Sequence, residues 1–289
     1  MAASNRRNYR HWDLLESCAI CPRECGVNRL EDERGTCKGG RDVLVSSAHP
    51  HHGEEPVLVG YGGSGTIFLG GCNLGCVFCQ NYDISHDAAG STVSVERLAE
   101  LILGMQGTGC ENVNFVTPTH FTIHILNAIE IARDNGLEVP TVWNSGGYDS
   151  VETLKLLEGA VDIYMPDAKY WDNAAADKFS NAPDYRETMT AALKEMHRQV
   201  GDLEINEKGV ARKGLMIRHL VMPNGLAGTK EICDFIADEI SPNTYVNIMA
   251  QYRPCFRAVN YPDINRYPSR KEFIEAYEYA ESKGLRLAR

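Results

Sequence analysis

From Thr66 onward the chain alternates short apolar runs with longer amphipathic ones. The short runs are TIFLGG (66–71), VNFV (113–116), TVW (141–143), VDIYMP (161–166), LMIRHLVMP (215–223) and YVNIMA (245–250). Most lack a strict apolar/polar alternation, which predicts strands covered on both faces, as in a parallel sheet. Between them, SVERLAELILGM (94–105), HFTIHILNAIEIARDNG (120–136), SVETLKLLEG (150–159), a stretch within 170–200 and TKEICDFIADEI (229–240) carry helical spacing. Gly136 sits where a C′ glycine closes the second of these. A last helix opens at Ser269, with Glu272 three residues on in the capping-box spacing.

Strand and helix in alternation predict right-handed βαβ units. Six units fall two short of a closed eight-stranded barrel, so the fold expected is α/β, an open partial (β/α)6 barrel over residues 56–289. Residues 1–55 show no such rhythm and are expected to be a small, irregular, Cys-rich metal-binding segment. No internal repeat or low-complexity tract is visible. Parallel barrels gather their ligands at the C-terminal ends of the strands. There the sequence puts a loop with three cysteines, then Thr117-Pro118-Thr119-His120, Asn144-Ser145-Gly146-Gly147, Asp167-Ala168-Lys169 and Gln251-Tyr252.

Composition narrows the function classes. The 43 % apolar and 24 % charged residues are those of a globular chain, and no run is long enough for a membrane span. The basic opening lacks the apolar region of a secretory signal, so a cytoplasmic protein is expected. With 29 basic against 39 acidic residues the net charge is −10, which repels phosphate backbones and makes nucleic acid an unfavoured partner. Ten cysteines are many for a reducing compartment, where clustered thiols point to metal or redox chemistry. Seven fall in two clusters; Cys110, Cys233 and Cys255 stand alone and read as free thiols.

Cys72, Cys76 and Cys79 allow two metal readings. A closed zinc site needs a fourth ligand, for which His86 or a cysteine of the first cluster is available. A [4Fe–4S] cubane takes one thiolate per iron, so three thiolates leave one iron open to a substrate. Cys18, Cys21, Cys25 and Cys37, spaced Cys-x2-Cys-x3-Cys-x11-Cys, can close a site by themselves, either as structural zinc or as an auxiliary iron–sulfur cluster; free thiols or a partial site are the third reading. Arg218, inside an apolar run, needs a partner; a bound carboxylate, Asp167 or Glu55 would serve. Glu54 and Glu55 are candidates to pair with Arg218 or to touch substrate. His49, His51 and His52 read as exposed loop histidines.

The segment Cys72-Asn73-Leu74-Gly75-Cys76-Val77-Phe78-Cys79 resembles the Cys-x3-Cys-x2-Cys hallmark of the radical S-adenosylmethionine superfamily, including the aromatic before the last cysteine. The resemblance implies a [4Fe–4S] cluster on Cys72, Cys76 and Cys79 whose open iron takes the amino and carboxylate groups of S-adenosylmethionine. One-electron reduction then releases methionine and a 5′-deoxyadenosyl radical that abstracts hydrogen; a reduced flavodoxin or ferredoxin is the implied donor. Asp167-Ala168-Lys169, Arg218-His219-Leu220-Val221 and Asn144-Ser145-Gly146 resemble cofactor-binding positions of the glycyl-radical-enzyme activating branch. They imply that Asn144, Asp167, Lys169 and Arg218 hold the cofactor, with Phe78 near the adenine. Val116-Thr117-Pro118-Thr119-His120 stands where many members carry Gly-Gly-Glu.

More closely, the chain is similar to uncharacterised homologues of pyruvate formate-lyase activase. The similarity runs through Cys21-Pro22-Arg23-Glu24-Cys25-Gly26-Val27-Asn28-Arg29, His52-Gly53-Glu54-Glu55-Pro56, Cys79-Gln80-Asn81 and Gln251-Tyr252-Arg253-Pro254. It implies hydrogen abstraction, with a glycine of a glycyl-radical enzyme as one target. The alternatives are a small molecule or another peptide as substrate, or a metal-holding electron-transfer protein without catalysis.

Overall fold

All six short runs form strands in the computed structural model, which describes residues 9–288. The basic opening (residues 1–8), expected to lack a signal-like region, and residue 289 lie outside the described residues. The strands are β1 (Val43–His51), β2 (Ser64–Leu69), β3 (Ser91–Val93), β4 (Asn112–Val116), β5 (Thr141–Asn144), β6 (Ile163–Tyr164), β7 (Glu204–Ile205), β8 (Ala211–Leu220), β9 (Tyr245–Met249) and β10 (Arg286–Leu287). They pair in the order β3-β1-β2-β4-β5-β6-β8-β9-β10, with β7 on β8. From β2 to β10 that path is parallel throughout. The six expected strands are its core, and β3 and β10 are edges that do not meet, so the barrel stays open.

The added strands come from weaker signals. Among the described residues before Asp42 the N-terminal segment holds only the 3-10 turns Trp12–Leu15 and Arg29–Glu31, but β1 then runs antiparallel to β2. Its polar half carries Pro50, which has no N–H to give a second neighbour; β3 reaches only residues 43–45, so none is asked of it. The irregular part is held to the barrel helices: Ile20 O accepts from Thr153 Oγ1 at 2.6 Å, and Leu15 and Ile20 pack with Ile123.

The helices follow their sequence signals closely. Ser94 caps Val95–Gly107 by accepting from Arg97 N at 3.2 Å. Gly136 follows Thr122–Asp134 with φ +94°, as a C′ glycine should. The 170–200 stretch is two helices, Asn173–Ser180 and Tyr185–Val200, separated by left-handed Asn181 and by Pro183. Thr229–Phe235 ends in a π turn over Ile236–Ile240. Among the described residues no helix is long and apolar enough to cross a membrane.

The capping box of Arg270–Ser282 is formed. Ser269 Oγ accepts from Glu272 N at 3.2 Å, and Glu272 Oε2 from Ser269 N at 2.6 Å. Ser269→Ala is therefore expected to lower stability by about 1 kcal/mol, read as a shift of the urea midpoint. An unmoved midpoint would show that the cap adds nothing here.

Side chains alternate across a strand, and this alternation builds the site. Outward positions such as Phe115, Trp143, Tyr164, Ile217 and Val246 join the large core shared with the helices. Inward positions split into two levels. Low in the barrel, Val142, Ile163, Met216 and Tyr245 pack on Val57 and Leu58 of the short helix Pro56–Val59. Higher up, and towards β2 and β4, the inward residues are polar: Asn114, Asn144, Asp167, Arg218 and Asn247. The segment before β2 thus floors the barrel and carries Glu54 and Glu55 into its polar level.

Candidate active site

The three-cysteine loop leaves β2 through Gly70 and Gly71. Gly71 has φ +83°, and a Cβ there would lie 2.1 Å from the Cys37 carbonyl oxygen, so only glycine fits. The loop is fixed by backbone bonds from two directions. Gly75 N and Val77 N donate to Ser180 O (3.2 Å) and Phe179 O (2.8 Å), and Arg257 N donates to Val77 O (2.9 Å). Asn73 is buried and donates through Nδ2 to Tyr148 O at 2.7 Å.

Each thiol of the loop has a polar neighbour. Leu74 N lies 3.3 Å from Cys72 Sγ, Ser180 Oγ 3.0 Å from Cys76 Sγ, and Ser85 Oγ 3.1 Å from Cys79 Sγ. Burial pushes the Cys72 and Cys76 thiols up; nearby Lys169 and the Ser180 hydroxyl pull Cys76 partly back. Buried thiolates therefore need a cationic centre to exist here. Among the described residues no three His, Cys, Asp or Glu side chains converge on one ion. A cluster takes one thiolate per iron, and three soft thiolates suit it. His86, considered above as a fourth ligand, has its Nε2 3.0 Å from the Cys76 carbonyl instead.

Beside the loop lies a charged cluster. Arg218 Nε donates to Asp167 Oδ1 at 2.9 Å and its Nη2 to Asn144 Oδ1 at 2.7 Å, and its Nη1 stands 3.6 Å from Glu54 Oε1. Lys169 Nζ takes the other oxygen of Asp167. Burial opposes charge on all three, but mutual attraction wins. Asp167 stays below the usual carboxylate range because Arg218 and Lys169 outweigh its burial, and both cations are held above theirs. Glu54 also accepts from Asn114 Nδ2 (3.0 Å) and Asn144 Nδ2 (3.3 Å). Of the three candidate protein partners for Arg218, Asp167 is engaged directly and Glu54 at 3.6 Å. Glu55 instead accepts from Asn247 Nδ2 at 2.9 Å, and burial raises its pKa. Lys169 approaches the loop: its Cε and Leu74 Cδ1 lie 3.8 and 2.8 Å from where a Cβ on Gly146 would sit.

Two positioning groups, Asp149 and Tyr185, carried no sequence signal, and two more, His219 and Thr117, sit inside motifs the sequence shows. Asp149 is buried and accepts from Thr119 Oγ1 (2.7 Å), Ser145 Oγ (2.6 Å) and Trp143 Nε1 (3.3 Å), tying the ends of β4 and β5 together. The Tyr185 hydroxyl accepts from Lys169 N (3.1 Å) and faces the carbonyls of Gly146 (2.8 Å) and Asp167 (2.9 Å). His219 is held neutral, at about 4, by burial; its Nδ1 donates to Ala168 O at 2.7 Å, fixing the residue between Asp167 and Lys169. Thr117 has φ +59°, a left-handed backbone that a β-branched residue seldom adopts, at the position of the departure from Gly-Gly-Glu. Such strain persists only where the surroundings fix it, as its N–H bond to Asn144 O (2.9 Å) does.

The other expected residues lie nearby. Phe78 is buried, its ring against Tyr252 (5.5 Å) and Tyr170 (6.5 Å). His49 stacks on Phe68 and lies on β1 rather than in a loop. Cys18, Cys21, Cys25 and Cys37 gather round a separate small cavity behind the three-cysteine loop.

Comparison with known proteins bears on the family and the fold. The radical SAM superfamily model matches residues 66–202. The uncharacterised protein MJ0674 of Methanocaldococcus jannaschii is 38 % identical over 285 residues, covering 95 % of this chain and 77 % of that one. A second uncharacterised protein of that organism, MJ0808, is 24 % identical over 268 residues, 85 % of this chain and 73 % of its own. In structure, 76 % of the chain superposes on the FeFe-hydrogenase maturase HydG from Carboxydothermus hydrogenoformans with TM-score 0.54 and 10 % identity, a likeness of fold alone. The chain spans about half the length of that HydG chain, 51 %. The fold, the strand-end loop and these relatives together make the chain a member of the radical S-adenosylmethionine superfamily.

Proposed function

We propose that Cys72, Cys76 and Cys79 hold the [4Fe–4S] cluster that the superfamily implies, and that Asn144, Asp167, Lys169 and Arg218 hold S-adenosylmethionine, with Phe78 beside its adenine. The observation that carries this reading is the adjacency of three half-buried thiols to a lysine, an arginine and an aspartate on the same barrel rim. When bound, the reduced cluster and cofactor supply a 5′-deoxyadenosyl radical and methionine. The chain's own part is to bind, orient and shield. Lys169 and Arg218 suit a carboxylate, and Asp167 suits an ammonium or a ribose hydroxyl. Ser180, Tyr185 and Asp149 hold the loops that bear these groups, while Val57 and Leu58 close the barrel from below against water.

The reaction proposed is hydrogen abstraction, with a glycine backbone of a partner enzyme as target. That target is supported by Asp167-Ala168-Lys169 and Arg218-His219-Leu220-Val221, shared with the activating branch; the HydG likeness bears on fold only. A reduced flavodoxin or ferredoxin is the proposed donor, and the clustered thiols fit the cytosol.

Anaerobic reconstitution with iron and sulfide, followed by S-adenosylmethionine and a strong reductant, is expected to give methionine and 5′-deoxyadenosine in equal amounts. Colourless, zinc-loaded protein that forms neither would reject the reading. Deuterium carried from α-deuterated glycine of a glycyl-radical enzyme into 5′-deoxyadenosine checks the target; its absence there, with cleavage intact, moves the substrate elsewhere.

A further inference from the structure

Two buried hydroxyls stand in line behind one thiol of the three-cysteine loop. Tyr170 Oη lies 2.9 Å from Ser180 Oγ, and Ser180 Oγ lies 3.0 Å from Cys76 Sγ. Both residues are fully buried. We propose, on the reading of Cys76 as a cluster ligand, that Tyr170 is a positioning residue for that cluster. Its hydroxyl donates to Ser180 Oγ and thereby aims the single Ser180 proton at the Cys76 sulfur.

The protons available fix the direction of this chain of bonds. A thiolate on iron carries no proton, so the bond between Ser180 and Cys76 uses the serine's own. The serine oxygen is then left to accept, and the Tyr170 phenol is the donor within reach. Burial raises that phenol well above the ordinary tyrosine range, so it stays protonated. Among the described residues neither hydroxyl has a further partner. Each bond in the chain is therefore one that burial makes costly to lose.

The two residues reach the loop from different elements. Tyr170 follows Lys169, and its ring is held edge-on to Phe78 at 6.5 Å and to Tyr185 at 5.6 Å. Ser180 ends the helix Asn173–Ser180, and its carbonyl takes Gly75 N at 3.2 Å. Ser180 thus grips the loop twice, by its backbone at Gly75 and by its side chain at Cys76. The backbone grip needs no tyrosine. The hydroxyl does, because a serine side chain has other staggered positions, including one that returns its proton to the carbonyl a turn back in the helix. A proton received from Tyr170 holds the oxygen in place and strengthens the bond it makes onward. Cys72 and Cys79 are served differently. Their polar neighbours are Leu74 N at 3.3 Å and the half-buried Ser85 Oγ at 3.1 Å, with no second hydroxyl behind either among the described residues.

Hydrogen bonds to ligand sulfurs help to set the potential of an iron–sulfur cluster. A donor stabilises the added electron, so a weaker donor lowers the potential.

The test is redox titration of the full chain, loaded anaerobically with iron and sulfide, following the cluster signal that Cys76→Ala abolishes. Tyr170→Phe keeps the ring and its packing, and is expected to lower the midpoint potential of that signal. Ser180→Ala is expected to lower it further. Adding Tyr170→Phe to Ser180→Ala is expected to change nothing more, since the tyrosine acts only through the serine. A residue that merely packs would give the same shift in both backgrounds. An unmoved potential in Tyr170→Phe, or an equal shift with and without the Ser180 hydroxyl, overturns the proposal and leaves the ligand assignment standing. A wild-type chain with no signal that Cys76→Ala removes overturns both.

Discussion

Cys76→Ala is expected to reduce 5′-deoxyadenosine formation to background and to remove the iron held at the three-cysteine loop. Cys76 is the middle ligand of the proposed set, and its sulfur receives the Ser180 hydroxyl at 3.0 Å. Two thiolates cannot fill three corners of a cubane. The fold should survive, because the loop is anchored by the backbone of Gly75 and Val77 against Ser180 and Phe179, not by the thiol. Thermal unfolding of the metal-free proteins is therefore expected to be near identical. Ser180→Ala, which removes a donor to the sulfur rather than the sulfur, is expected to weaken cluster retention by about 10- to 100-fold. Cys110→Ala serves as the control. That thiol is buried on its own, with Thr108 Oγ1 at 3.4 Å, and its loss should leave cleavage unchanged. Turnover persisting in Cys76→Ala would refute the ligand assignment.

The barrel was legible because its strands and helices obey local rules. β-branched and aromatic runs bounded by glycine and proline became strands, and Ser94, Gly136 and Ser269 mark helix ends by side-chain chemistry within a few residues. The three-cysteine loop was legible for the same reason, since its ligands lie within eight positions. What stayed hidden depends on pairs far apart in sequence. Glu54 meets Asn114 and Asn144 only once the segment before β2 crosses the barrel floor. Ser180 reaches Cys76 across 104 positions, and Tyr185 lies in a helix whose pattern reads only as core. Asp149 looks like a turn residue in GGYDS until three buried donors are found on it. β1 was masked by its polar half and by Pro50, which are harmless where only β2 needs a partner. Thr117 broke the rule that a left-handed position should carry glycine, and such departures gather at sites.

The second large effect concerns Asp167, which one carboxylate makes the partner of two buried cations. Arg218 and Lys169 are each only 16 % exposed in their side chains, and Asp167 14 %. Asp167→Ala leaves Lys169 without its carboxylate and Arg218 with Asn144 and the more distant Glu54. Uncompensated buried charge of this kind costs about 3–5 kcal/mol. Asp167→Asn keeps the shape and isolates the charge. Its loss should be smaller when Lys169→Met is added, because the stranded ammonium goes with it. The pH dependence has a definite sign. Asp167 titrates lower folded than unfolded, so its contribution is complete above the unfolded value of about 3.9 and fades as pH falls through the folded one. Lys169 titrates higher folded than unfolded, so its share is complete below about 10.4 and is lost as pH rises through its folded value. The stability difference between wild type and Asp167→Asn, from urea unfolding, should thus be flat from about pH 5 to 9 and shrink in acid. A difference below about 1 kcal/mol, or one indifferent to acid, would mean that solvent rather than Asp167 neutralises these cations, since that is the worth of an exposed ion pair. The charged rim would then be too wet to orient a cofactor as proposed.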